Sequence, residues 1–360
     1  MMKGALQNIF IILVMATITI PGVLTLLDVK LVENCEKREL HTLPKASFSE
    51  KYIADFEDYF DDNFGLRNLL VNWGSTMKVN LFKSSLHPQN VKFGKFNWLF
   101  YNKLDSEIFN SYSKQNLLSP SELDSTITNW ENCKTALEKK EIKYIMAVWP
   151  NKATIYPEFL PSTMKMQIKY GISKTDQIKN FLQITNSKIP FIDVRSSLLE
   201  KKKENQLYHK HDTHWNELGA YYAYRDFFKQ TKGVLGIEPY NLDSFLYSEK
   251  AESKGDLLNM IGICDNSSFI DIHPKLQYKQ ENLNLTSFDG KFKNSLVYVN
   301  ENCKNNLRVL VFRDSFTDAL IPYFRLHFRE THFVWFDFQE HIVESIKPDV
   351  VITSFVERNL

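Results

Sequence analysis

Two stretches of this sequence concentrate side chains that could do chemistry. One is His209-Lys210-His211-Asp212-Thr213-His214-Trp215-Asn216, and the other is Arg313-Asp314-Ser315-Phe316. A serine hydroxyl is a poor nucleophile until a base takes its proton, and a neutral imidazole suits that work near pH 7. The imidazole in turn needs a carboxylate on its other nitrogen, which fixes its tautomer and orientation. Asp212 and His214 supply both types two positions apart, and in an extended segment such positions share one face. Ser315, His214 and Asp212 are therefore the candidate nucleophile, base and orienting carboxylate. Each piece has a plainer reading: Ser315 as a helix cap, and Asp-x-His as a common dipeptide pattern. Metal binding by the three histidines is the competing chemistry. His209, His211 and His214 lack a standard zinc spacing and have no neighbouring Cys, so no metal is expected.

These residues need elements to position them. The run 307–312 (Leu-Arg-Val-Leu-Val-Phe) reads as a buried strand, and a helix is expected from about Ser315. A Ser at such a turn presents its hydroxyl at the carboxyl end of a sheet, where open α/β folds place ligands. The helix it starts would aim N–H groups at a developing oxyanion. Further strands are expected at 142–149, 190–194, 331–336 and 349–355. Helices are expected at 174–185, 196–203 and 339–346, with one capped by Asn216 running to about 229. Ser119-Pro120-Ser121-Glu122 is a capping box with Pro at the first helical position, opening a helix to about 140. Strands alternating with helices imply an α/β fold with a mostly parallel sheet covered on both faces. Apolar spacing over 49–82 suggests helix broken near Asn63-Phe64-Gly65, and 91–101 reads as a strand pair around a turn. Residues 233–300 interrupt the alternation and read as an insertion with short strands.

Composition narrows the classes. The 360 residues carry 44 Lys+Arg against 43 Asp+Glu, a net charge of +1. That balance lacks the basic footprint of a protein that binds nucleic acid over a broad surface. The apolar fraction of 43% supports a sizeable core, and a mean hydropathy of −0.32 excludes a polytopic membrane protein. Aromatics reach 14%, which fits either core packing or sugar stacking. From Gly4 to Leu27 there are 24 residues without a charge. As a helix they span about 36 Å, enough to cross a hydrocarbon core of about 30 Å. Residues 1–27 thus read as a transmembrane anchor or signal segment. An uncleaved anchor is favoured because no small-residue cleavage site follows the run. Residues 28–48 read as a linker, and 49–360 as the main domain. The flanking charges, Lys3 before and Lys30, Lys37 and Arg38 after, do not themselves support export of that domain. Among Cys35, Cys133, Cys264 and Cys303, the pair Cys264–Cys303 is the first disulfide to test.

The chain resembles the alginate O-acetyltransferase family of SGNH-hydrolase-like proteins, which act on exported polysaccharide. The resemblance rests on Tyr59-Phe60-Asp61-Asp62-Asn63-Phe64-Gly65-Leu66-Arg67 and Gly94-Lys95-Phe96-Asn97-Trp98-Leu99-Phe100-Tyr101. It continues through Pro150-Asn151-Lys152, Ile155-Tyr156-Pro157, Asp212-Thr213-His214-Trp215-Asn216, Gly255-Asp256-Leu257, Asp314-Ser315-Phe316 and Glu357-Arg358. In that family Asp-x-His precedes the Ser, as here. The resemblance implies a three-layer fold, Ser315 as nucleophile, His214 as base and Asp212 as its partner. It implies acetyl transfer through a serine acyl-enzyme to sugar hydroxyls, with no cofactor beyond an acetyl donor. It also implies a membrane-bound O-acyltransferase partner, and a single-pass protein with its catalytic domain in the periplasm or outside the cell. A carbohydrate esterase or deacetylase, or a non-catalytic glycan-binding component, are the alternatives. Lys152, Tyr156, Trp215 and Arg313 are candidate substrate contacts, although structural roles suit Lys152 and Tyr156 equally. Arg313 departs from the Gly often found before Asp-Ser, a residue that would serve a tight turn.

Overall fold

The computed structural model describes residues 2–34, 36, 39–82, 90–102, 107–264, 267–279 and 284–360. Helix α1 (Met2–Leu26) is followed by α2 (Glu50–Asn63) and α3 (Arg67–Phe82), with the break between them at Phe64 as expected. Leu6–Leu26 is long and apolar enough to cross a membrane, and none of it is buried against the rest of the chain. The turn between α2 and α3 rests on the end of α1, where the Gly65 N–H donates to Thr25 Oγ1 (2.8 Å). A Cβ on Gly65 would overlap Leu24, so only glycine permits this approach.

Eleven strands are described: β1 (Val91–Phe93), β2 (Leu99–Tyr101), β3 (Lys143–Trp149), β4 (Phe191–Asp193), β5 (Phe245–Glu252), β6 (Asp271–Tyr278), β7 (Leu285–Asp289), β8 (Ser295–Asn300), β9 (Arg308–Phe312), β10 (Glu330–Val334) and β11 (Val350–Val356). Seven of them form the central sheet in the order β4-β3-β11-β9-β10-β8-β7. The five from β4 to β10 run parallel, and β8 and β7 close one edge antiparallel. This corrects the reading of 233–300 as an insertion. Only its first part stands outside the sheet, as the β5–β6 hairpin. Its last part pairs into the sheet, because Leu296 and Val297 line up with Phe333 and His332 of β10.

The period of two along each central strand feeds two cores, as a doubly covered sheet requires. Ile145, Ala147 and Trp149 of β3 and Val309 and Val311 of β9 face one core, with helix Glu217–Gln230. Tyr144, Met146, Leu310 and Phe312 face the other, with helices Pro120–Glu138, Lys174–Ile184 and Glu340–Ile346. The Ser119 capping box and the Asn216 cap both form. A third, smaller core joins Val79 of α3, Val91 and Leu99 of the β1–β2 hairpin, and Leu257, Leu258 and Phe269.

The Cys264–Cys303 pair, the first to test, is not a disulfide. Cys303 is a free thiol, as is Cys133, while Cys264 is disulfide-bonded to a partner outside the described residues.

Candidate active site

Ser315 begins a short 3-10 helix, Ser315–Leu320, directly after β9. Its turn is fixed by Asp314. One carboxylate oxygen accepts from the Phe316 N–H (3.0 Å) and the other from the Val356 N–H at the end of β11 (2.6 Å). Burial raises the pKa of Asp314 although both bonds favour its anion. The Phe316 N–H is therefore occupied by Asp314, so the expectation that the helix start as a whole faces an oxyanion is corrected at this position. Arg313 needs no glycine-like backbone, since it is absent from the positive-φ residues. Its N–H continues the strand pairing to the Val334 carbonyl (3.0 Å).

The segment 207–216 brings the other two residues to Ser315. It folds back on itself through an isolated bridge between Tyr208 and Trp215 and a bond from His209 N–H to the His214 carbonyl. His214 Nδ1 lies 2.6 Å from Asp212 Oδ1, and His214 Nε2 lies 2.8 Å from Ser315 Oγ. Asp212 also accepts from the His214 N–H (3.0 Å) and the Asp256 N–H (2.8 Å). Burial opposes the charge on both groups, but their bond and mutual attraction win. The His214 pKa is raised and the Asp212 carboxyl is held well below the ordinary carboxylate range. Asp212 stays ionised and holds the Nδ1 proton, leaving Nε2 to accept from Ser315.

A second carboxylate stands behind the pair. Asp256 accepts from Thr213 N–H (2.7 Å) and Thr213 Oγ1 (2.5 Å), and its Oδ2 is 3.8 Å from His214 Nδ1. Its charge adds to the rise in the His214 pKa. Gly255 makes this approach possible, because a Cβ there would overlap the His211 carbonyl. The motif Gly255-Asp256-Leu257 signalled something at this position, but no local pattern announced its contact with Thr213 across 43 residues.

Lys152 acts from below the loop. Its ammonium is buried and donates to the carbonyls of Leu99 (2.7 Å), Lys210 (2.8 Å) and Asp212 (3.0 Å). Burial pulls its pKa down to about 7, against the pull of Asp212, Asp256 and Asp271. Three carbonyl acceptors at these distances use all three protons of an ammonium, and a neutral amine has only two. Lys152 is thus committed to the backbone that carries Asp212, which leaves it no donor for substrate. Tyr156 is also buried, and its hydroxyl accepts from the Leu207 N–H (2.9 Å) at the root of the same loop. Trp215 is only 2% exposed, packs against Trp149 and Phe316, and donates from Nε1 to the Phe316 carbonyl (3.0 Å). It ties the His214 loop to the Ser315 turn and offers no face to a sugar. Arg313 pairs with Asp318 and lies over the Trp335 ring at 4.8 Å. Trp335 is 42% exposed, so the wet aromatic near this turn is Trp335 rather than Trp215.

Asn151 meets Glu357 and Arg358 beside the triad. Asn151 accepts from Arg358 Nη1 on Oδ1 (3.0 Å) and donates its N–H to Glu357 (2.7 Å). The Arg358 guanidinium lies 5.2 Å from the Phe316 ring. With Phe100, Tyr101, Tyr112 and Thr213, it lines a small crevice. His211 takes no part. It is buried against Phe269, and burial pulls its pKa down to about 4, so it is neutral.

A parallel α/β sheet with Ser at the end of one strand, and an Asp-x-His loop folded onto it, defines an SGNH-hydrolase-like domain. The family model of the SGNH hydrolase-like domain of acetyltransferase AlgX matches residues 91–290, and the chain belongs to that family. The match includes Asp212, His214 and Asp256 and stops before Ser315. No curated protein sequence matches the chain. Among solved structures, Bacillus cereus PatB1 is similar at a TM-score of 0.55 and 14% identity, covering 73% of this chain and 95% of that one. The same protein with a sulfonyl adduct gives 0.53 and 15%, covering 73% and 93%. The O-acetyltransferase domain of Pseudomonas putida AlgJ gives 0.48 and 17%, covering 75% and 91%. At these identities the PatB1 likeness speaks for the fold.

Proposed function

We propose that this protein is a membrane-tethered O-acetyltransferase that carries acetyl on Ser315 and passes it to hydroxyls of an exported polysaccharide. The observation that carries the reading is the unbroken hydrogen-bonded line Asp212–His214–Ser315. Membership of an acetyltransferase family supports the choice of group transferred. The apolar helix Leu6–Leu26 supports a tether; in this reading the domain that follows it lies outside the cytoplasm because its acceptor is an exported polysaccharide.

In the first half-reaction, Ser315 Oγ attacks the acetyl carbonyl carbon of the donor while His214 Nε2 takes the hydroxyl proton. The donor's leaving group departs with that proton and leaves acetyl-Ser315. In the second, His214 takes a proton from a sugar hydroxyl, whose oxygen attacks the ester carbon. Ser315 Oγ leaves and recovers the proton. Asp212 holds the imidazole through both steps, stabilising the imidazolium without itself taking the proton. A membrane-bound O-acyltransferase that delivers acetyl across the membrane is the partner this reading requires.

The test is Ser315→Ala in cells, read as O-acetyl content of the exported glycan, with the full-length variant's level in the membrane checked by immunoblot. Loss of acetylation at equal protein level is the expected result. Unchanged acetylation removes Ser315 from the mechanism. With purified full-length protein and an aryl acetate, release of acid that added oligosaccharide leaves unaltered would point to an esterase instead.

A further inference from the structure

Outside the triad, the fold assembles a second set of ligating side chains from distant parts of the chain. His209, Asp271 and His273 each offer one donor atom, and the three atoms lie within 4.8 Å of one another. His209 belongs to the loop that carries Asp212 and His214, whereas Asp271 and His273 sit two apart on β6 and so share its face. We propose that these three residues bind a divalent transition-metal ion, zinc by preference, which clamps the catalytic loop to the β5–β6 hairpin.

Three observations carry the assignment. First, His209 Nδ1 and Asp271 Oδ2 are 3.5 Å apart, long for a hydrogen bond. With bonds of about 2.0–2.2 Å, two ligands of a tetrahedral zinc stand about 3.4 Å apart. Second, His273 is 4% exposed, and its Nδ1 finds no hydrogen-bond partner among the described residues. A buried imidazole nitrogen left unmade is costly, and metal coordination would satisfy it. Third, the surroundings are those that orient ligands at known metal centres. His273 Nε2 is 3.4 Å from the Glu252 carboxylate, the carboxylate–histidine–metal arrangement. Asp271 is oriented by the Gln206 side chain (2.9 Å) and the Lys210 N–H (2.9 Å). These leave a lone pair on each carboxylate oxygen for a cation. Three protein ligands leave one tetrahedral position to water.

The set was invisible in the sequence, where only the local spacing of His209, His211 and His214 could be judged. It shares no residue with the triad. His209 is tied to the site through its N–H, which donates to the His214 carbonyl (3.2 Å). A metal here would steady the loop without touching substrate.

The experiment uses full-length protein in detergent, stripped with a chelator and exposed to zinc at buffered free concentrations. Metal content is read by mass spectrometry after gel filtration, and visible d–d absorption after cobalt substitution. One zinc per chain is expected at micromolar free zinc, with a rise in the unfolding temperature. His273→Gln and His209→Gln should each weaken binding at least tenfold and abolish the tetrahedral cobalt bands, while the remote His332→Gln behaves as the parent. Circular dichroism and covalent labelling of Ser315 by a serine-directed phosphonate show that each variant is folded. Less than one zinc per chain in the parent, or equal binding by the folded His273→Gln variant, overturns the proposal. Either outcome leaves the reading of Ser315 intact, because the phosphonate reports on it separately.

Discussion

Replacing Asp212 by Asn tests whether the carboxylate does what the geometry requires. Asp212 accepts three hydrogen bonds: from His214 Nδ1 at 2.6 Å, His214 N–H at 3.0 Å and Asp256 N–H at 2.8 Å. Asn keeps the shape but loses the charge, and its NH2 must face at least one of these donors. A hydrogen bond to a charged group is worth about 1.5–3 kcal/mol. Losing it in a transition state with a developing imidazolium costs roughly 10- to 150-fold in rate. If the amide also imposes the wrong tautomer, so that Nε2 carries the proton, the loss grows to about 10^4-fold. The expected fall in kcat for an aryl acetate, measured on full-length protein, is therefore about 10^3- to 10^4-fold. The pH profile adds a signed check. His214 works as a base only when neutral, and its pKa is raised through Asp212, against the opposing effect of burial. The parent's activity should thus climb with pH through a midpoint above the ordinary imidazole value of about 6.5. Without the Asp212 charge the midpoint should move to lower pH, even as the plateau falls. A kcat within tenfold of the parent, with an unmoved midpoint in a folded variant, would refute the assignment.

Three further outcomes follow, one from the buried Lys152 and two from the cysteines. Lys152→Met fills similar space but removes the ammonium that donates to the Leu99, Lys210 and Asp212 carbonyls, of which Lys210 keeps the Leu99 N–H. The expected loss is about 2–4 kcal/mol in urea unfolding, with slower phosphonate labelling of Ser315; unchanged values of both would show that Lys152 does not hold the loop. Cys303→Ser should leave the unfolding temperature and its response to reductant as in the parent, because Cys303 is a free thiol. Cys264→Ser should lower that temperature and abolish the response.

Much of the architecture was legible because it is written locally. The runs that became β3, β9 and β11 are short, apolar and β-branched, and caps such as Ser119 and Asn216 signal their own helices. Asp212 and His214 could be paired on paper because two residues in extended chain share a face. The two antiparallel strands β8 and β7 at one end of the sheet were harder to place. Their sequences are only partly apolar, and their membership of the main sheet depends on pairing with β10, which local pattern does not encode. Burial likewise separates Trp215, committed to the core, from the half-exposed Trp335, though both are tryptophans beside the site segments.

By itself, the amino-acid sequence determined the α/β class, the apolar N-terminal helix and the residue types of the triad, each fixed by periodicity or by neighbours a few positions apart. Only the tertiary structure decided that Ser315 meets His214 across 101 residues. The same holds for Asp256 behind the pair, for the Lys152 ammonium spent on backbone carbonyls of the loop, and for His209 beside Asp271 and His273. Those facts depend on which surfaces of distant segments are buried together. A buried charge or imidazole finds its partners through that packing, not through its place in the chain.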